Sequence, residues 1–357
     1  MDRRLRFILR SVLLIVGGLI ITWLAVPSPL LSSAWTPSPT SPLEGPLEKN
    51  DSLLDAELLY SGRAVGAADV VFDDNGDLLT GLSDGRIVRF VGDRMQEVAQ
   101  TGGRPLGMQF GPDKALYVAD AVKGLLRVSP GSGQVQVLVD EAEGHPFRIT
   151  NDVTVDSQGV VYFTDSSAAW EEDEMLDEIL DQRPTGRLLR YDPASGQTLV
   201  LARELAFANG VALAADESFI LVAEMARYRV WRVWLQGEQK NLKEVFLHNL
   251  PGFPDDVTRS PRGTWWVSFW SLRKQIVDFT HPYPFLKDAI ASLPPLLRPR
   301  PVSWGLVLEV DRDGKPIRAL HDPTGARVPS TTSAVERDGM LWMGLLDGDR
   351  IARLRLQ

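Results

Sequence analysis

Three residues in this chain could do chemistry if they met: Asn151 in ITNDVTV, Asn209 in FANGVAL and Asp255 in FPDDVTR. Each stands just before an apolar, β-branched run, where a polar side chain gains nothing from burial. Two amides and a carboxylate present oxygen donors, which suit a hard cation such as calcium, with its roughly six to eight oxygen ligands in irregular geometry. Zinc would call for His or Cys. The chain has no cysteine, and neither His145 nor His248 falls at an equivalent position. The same residue types also cap turns and strand starts through local hydrogen bonds. The cation reading therefore depends on whether the fold gathers them.

The elements that would gather them repeat. A short apolar strand, a polar turn and a second apolar strand recur in DVVFDDNGDLLTGL from Asp69, GMQFGPDKALYVAD from Gly107 and DVTVDSQGVVYFTD from Asp152. They recur again in GVALAADESFILVAE from Gly210, DVTRSPRGTWWVSFW from Asp256 and AVERDGMLWMGL from Ala334. Turn residues separate the strands as hairpins require, and the strands are rich in Val, Ile, Leu and aromatics at period two. Repeats at roughly 40-residue spacing predict an all-β, six-bladed β-propeller over residues 55–357. Counting back from each first turn puts Ala68, Leu106, Asn151, Asn209, Asp255 and the pair Thr332 and Ser333 at the axial starts of the blades. Asp69, Asp152 and Asp256 stand next to them. Two longer gaps hold an acidic helix at 169–182, expected to cover the propeller with its apolar face, and a Pro- and aromatic-rich insertion at 273–304.

Ahead of the propeller, MDRRLRFILR carries four arginines and residues 11–26 carry no charge. With Phe7 to Leu9 the apolar span reaches about 20 residues, enough to cross a bilayer core. The chain is thus expected to have a single N-terminal transmembrane helix over 1–27, its N-terminus cytoplasmic and its propeller exported. A cleaved signal peptide is the rival reading, with Ser32 and Ala34 at a small-x-small site. The Pro/Ser-rich residues 28–54 read as a semi-rigid tether. A net charge of −9, with no basic block beyond the first ten residues, argues against nucleic acid as a partner.

The segments FRITNDVTVDSQGVVYFTDSS, TGRLLRYDPASGQTLVL, FANGVALAADESFILVAE and NLPGFPDDVTRSPRGTWWVS resemble the strictosidine synthase-like propellers. That group takes in the animal adipocyte plasma membrane-associated proteins and bacterial relatives, within a superfamily that includes gluconolactonases and paraoxonases. The resemblance runs from about residue 55 to the end and implies an axial calcium ion. Its ligands would include a first-blade Glu, third- and fourth-blade Asn residues matched by Asn151 and Asn209, and a fifth-blade Asp matched by Asp255. Asp256 stands where many relatives have Asn. Ala68 replaces the first-blade Glu and cannot be a ligand, and Asp69 turns to the other face of a strand. Leu106 stands where paraoxonases have a His. Ser333 is nearest the Glu that plant strictosidine synthases use, so Pictet–Spengler chemistry is not expected.

What remains is calcium-dependent hydrolysis of a small-molecule ester or lactone, with Asp255 or Asp256 as base. Leu106, Phe253, Trp270 and Ser333 would line the substrate pocket, and Trp170 and the HPYPF segment could shape its mouth. Aromatics of this kind equally pack between blades. The alternative is a non-catalytic binding propeller that has lost its first-blade ligand.

Overall fold

Alternating apolar residues make each strand two-faced, and stacking several small sheets around an axis buries both faces. In the computed structural model, which describes residues 17, 18, 28 and 30–356, this produces six four-stranded antiparallel sheets. The inner strands of blades 1 to 6 are Val71–Phe72, Pro105–Phe110, Thr150–Val155, Ala208–Leu213, Gly252–Arg259 and Ser333–Arg337. The second strands lie inside each sheet, between the first and third, and are almost wholly buried, as in Leu116–Asp120 and Val161–Asp165. Outer strands such as Arg94–Gln100 alternate with solvent.

Blade 6 is closed by the beginning of the domain. Its fourth strand is Glu57–Leu59, antiparallel to Ile351–Arg355, and Glu57 pairs with Arg353 at 2.5 Å. Pairing the first strand with the last leaves the ring without a seam.

Three pieces sit on the face where the inner strands begin. The first is a short lid, a 3-10 turn (Glu172–Glu174) running into helix α1 (Met175–Asp181). The second is the insertion, with helices α2 (Gln275–Thr280) and α3 (Pro284–Ala291). The third is the Pro/Ser-rich stretch, which from Leu30 is laid along the propeller. Leu30 is buried with Trp170, Leu180, Val277 and Ala291. Trp35 packs against Tyr228 and His281, with ring centroids 5.7 and 5.5 Å away. Lys287 Nζ donates to the Ser33 carbonyl at 2.6 Å and Arg273 to that of Ser38 at 2.7 Å. A proline-rich segment has few backbone donors of its own, so its carbonyls are met by cations of the insertion. The membrane helix expected over residues 1–27 lies outside the described residues, apart from Gly17 and Gly18. Among the described residues no helix is long and apolar enough to cross a bilayer.

Candidate functional site

The local device that builds the site is a β-bulge used four times. The pairing of inner and second strands slips between Pro105 and Met108, Thr150 and Val153, Ala208 and Val211, and Pro254 and Val257. The two unpaired residues in each slip are Leu106–Gly107, Asn151–Asp152, Asn209–Gly210 and Asp255–Asp256. A bulge frees two residues from the ladder and re-aims their side chains. Second-strand hydroxyls satisfy freed amides: Asp152 N–H donates to Thr164 Oγ1 at 3.1 Å and Asp256 N–H to Ser268 Oγ at 3.0 Å.

The first residues of these pairs converge. Ala68, Leu106, Asn151, Asn209, Asp255 and Thr332 line one chamber on the axis, of about 50 Å³, with Glu172 and Met175 of the lid beside them. Asn209 Nδ2 donates to Met225 Sδ at 3.3 Å, which fixes the amide's orientation. The Asn151 side chain has no protein hydrogen bond among the described residues. Asp255 borders the chamber and is partly buried. Burial, then the charges of Asp347 and Asp152, push its carboxyl well above the ordinary range, against a lowering bond from Asn209.

The second residues form a layer of their own. Asp69 Oδ1 accepts from Val70 N–H at 2.7 Å and its Oδ2 from Met108 N–H of blade 2 at 3.0 Å. Asp152 repeats this with Val153 at 2.8 Å and Val211 of blade 4 at 2.6 Å. Asp256 accepts from Val257 at 2.6 Å. Blades 1 and 3 thus supply carboxylates that tie down the next blade, while blades 2 and 4 carry glycine at that position. Burial, first of all, raises all three carboxyls, and the neighbouring carboxyls raise those of Asp69 and Asp256 further. This layer is thus a buried cluster of acidic groups on the axis. It also separates the chamber from a wide funnel of about 930 Å³ lined by the first hairpin turns on the opposite face.

Of the sequence-predicted site residues, the fold brings together Leu106, Asn151, Asn209 and Asp255. Asp256 belongs to the carboxylate layer at the chamber floor, because adjacent residues point in different directions. Ser333 lies in that layer too, beside Asp69, its Oγ accepting from Gly344 N–H at 3.1 Å. Thr332 takes the chamber position, its Oγ1 donating to the Ala68 carbonyl at 2.8 Å. Phe253 and Trp270 are outside the chamber. They pack edge to face at 6.0 Å and line a small apolar cavity under Leu176, Ile179 and Leu180 of α1. Their bulk supports the lid. Trp170 is likewise committed, its Nε1 donating to Asp181 at 2.7 Å. His281 is buried behind Trp35, where desolvation lowers its pKa to about 3 and keeps it neutral. Sequence reasoning missed Glu172 and Met175 as chamber residues. The only signal was the acidic, amphipathic run 169–182, which does not say what it covers.

Among the described residues no three His, Cys, Asp or Glu side chains are arranged to hold a metal. The chamber set is of another kind, two amides with one carboxylate.

Six blades with inner-strand polar residues on the axis define a class, and the chain belongs to the strictosidine synthase-like family of β-propellers. Residues 45–90 match the strictosidine synthase-like N-terminal region and residues 151–238 the strictosidine synthase family. The adipocyte plasma membrane-associated protein of Bos taurus is 36% identical over 92% of this chain and 86% of its own length. Among solved structures, a gluconolactonase from Xanthomonas campestris superposes with a TM-score of 0.62 at 16% identity, over 93% of this chain and 99% of that one. Regucalcin of Agrobacterium tumefaciens, a calcium-binding protein, superposes with a TM-score of 0.59 at 13% identity, over 84% and 93%. At such identities the superpositions speak for the fold.

Proposed function

We propose that this protein is a membrane-anchored, calcium-dependent hydrolase of esters or lactones. The apolar N-terminal segment would hold it in the membrane, with the N-terminus cytoplasmic and the propeller exported. The observation that carries the hydrolase reading is the convergence of Asn151, Asn209 and Asp255, from three separate blades, in one axial chamber. These residues fit calcium. They offer oxygen donors, Asn151 has no competing partner among the described residues, and Asp255 is a partly buried carboxyl whose nearest charged neighbours are the acidic Asp347 and Asp152. A bound calcium ion supplies Lewis-acid polarisation of a carbonyl oxygen and favours the ionised form of Asp255.

The remaining work falls to the chain's own groups. Asn209, fixed by Met225, and Asn151 orient an oxygen-rich ligand. Asp255 is the inner-strand carboxylate that faces the chamber and so is the better placed of the two candidate bases. Glu172 adds a second carboxylate from the lid, 3.9 Å from Arg104. Leu106 and Met175 keep water out. A chamber of about 50 Å³ is far below the roughly 300 Å³ or more of a typical ligand site, so a substrate would enter only when the lid carrying Glu172 and Met175 moves.

A second reading, a binding propeller without turnover, is favoured by Ala68, which leaves blade 1 without a ligand. Calcium titration of the detergent-solubilised full chain separates them, with Asn209→Ala and Asp255→Ala as variants and aryl esters and lactones as substrates. Binding lost in both variants together with calcium-dependent turnover supports the hydrolase. Binding without turnover supports the second reading. No binding at millimolar calcium overturns the mechanism.

A further inference from the structure

The insertion carries an unusual surface. Ile276 and Phe279 on α2 are 59% and 60% exposed, and Phe285 at the start of α3 is 64% exposed. Tyr283 joins the two aromatics, its ring 5.7 Å from Phe279 and 6.2 Å from Phe285. Leu31 of the docked N-terminal stretch is 72% exposed. The next residue, Ser32, donates to Asp288 Oδ1 at 2.6 Å and contacts the Pro284 carbonyl at 3.4 Å. Leu31 therefore belongs to the same patch, at the N-terminal end of α3. Soluble surfaces rarely group open aromatic and aliphatic side chains in this way without a partner.

The chain itself says what that partner is. The apolar run ends at Val26, before Pro27 and Ser28, and Leu30 is already buried between the lid and the insertion. Four residues of extended chain reach at most about 14 Å. A membrane segment ending at Val26 therefore holds this face of the propeller within that distance of the bilayer. The patch, adjoining Leu30, has no room to stand away from it.

We infer that Leu31, Ile276, Phe279, Tyr283 and Phe285 form a docking surface that inserts into the lipid interface beside the anchor and fixes the propeller's lid-bearing face against the membrane. This rests on the reading that residues 11–26 enter a bilayer. Apolar and aromatic side chains rimmed by polar groups are suited to this depth, with Tyr283 keeping its hydroxyl in the headgroup region. The lid is tied to the same face, since Lys287 of α3 donates to the carbonyls of both Ser33 and Asp181.

The absence of cysteine makes the test direct. Ile276→Cys, Phe285→Cys and, as a control on the outer strand of blade 2 opposite the insertion, Val137→Cys are made in the full chain. Each is labelled with an environment-sensitive fluorophore and reconstituted into phosphatidylcholine vesicles. Vesicle flotation is scored first, then quenching by a nitroxide-bearing lipid and by aqueous iodide. Lipid quenching at positions 276 and 285 should exceed that at 137 by a factor of about 5 or more, as expected for side chains ~5–10 Å below the headgroup surface. Iodide should show the reverse order. A chain that does not float with vesicles overturns the anchor and the docking surface together. A chain that floats, with all three probes equally open to iodide, overturns the docking surface and leaves the anchor standing.

Discussion

A Cβ placed on Gly107 would lie 2.1 Å from Oδ1 of Asp152 and 2.6 Å from its Cα. Blade 2 therefore has no side chain at this position because blade 3 has filled it. Gly210 stands in the same relation to Asp256 of blade 5, whose Cα would lie 2.3 Å from the added carbon. The aspartates of blades 3 and 5 thus interlock with the glycines of blades 2 and 4.

Gly107→Ala is accordingly expected to destabilise the protein by about 3 kcal/mol, at the upper end of ordinary overpacking, since backbone and not only a flexible tip must shift. Gly131→Ala, with no atom near the added methyl, should change stability by less than about 0.5 kcal/mol. Urea unfolding midpoints of the two variants decide the matter.

Calcium at millimolar concentration should raise the unfolding temperature of the native chain. A ligand at 100 times its dissociation constant contributes about 2.7 kcal/mol. The increment should vanish in Asp255→Asn and Asn209→Ala and persist in Ser333→Ala, because Ser333 lies in the layer below. Scanning calorimetry with and without chelator measures it.

Glu178 gives a pH dependence of known sign. It is buried on α1, accepts from Ser167 Oγ at 2.6 Å, and desolvation raises its pKa to about 8 from an ordinary 4.5. A raised folded-state pKa stabilises fully below the unfolded value, and that stability is lost as pH rises through the folded one. Unfolding midpoints of the native protein should therefore fall between about pH 5 and pH 8.5, whereas Glu178→Gln, neutral throughout, should show a flatter profile over that window.

Trp35→Ala should loosen the docked N-terminal stretch without disturbing the blades. The ring is half-buried against Tyr228 and His281, and its loss is expected to cost about 2 kcal/mol, less than a fully buried aromatic. Hydrogen exchange is the sensitive readout. The Ser33 and Trp35 amides, which donate to the Asp181 and His281 carbonyls at 2.9 and 3.1 Å, should exchange faster while inner-strand amides do not change.

The chain's repeated alternation was enough to predict six blades and the starts of their inner strands, because strand period and turn chemistry are local properties. It also singled out Asn151, Asn209 and Asp255, since an amide or carboxylate beside a β-branched run stands out wherever the repeat places it. The division of labour within each pair was not legible. Whether Asp255 or Asp256, or Thr332 or Ser333, faces the chamber depends on side-chain direction at the strand start. In four blades a bulge sets that direction, and a bulge exists only in the pairing with the second strand. The lid, the role of Phe253 and Trp270 beneath it, and the docking of residues 30–41 were likewise decided by tertiary structure. Each depends on contacts between segments far apart in the chain, such as Ser33 with Lys287 and Trp35 with Tyr228, and no local pattern encodes which surface an amphipathic or proline-rich segment will cover.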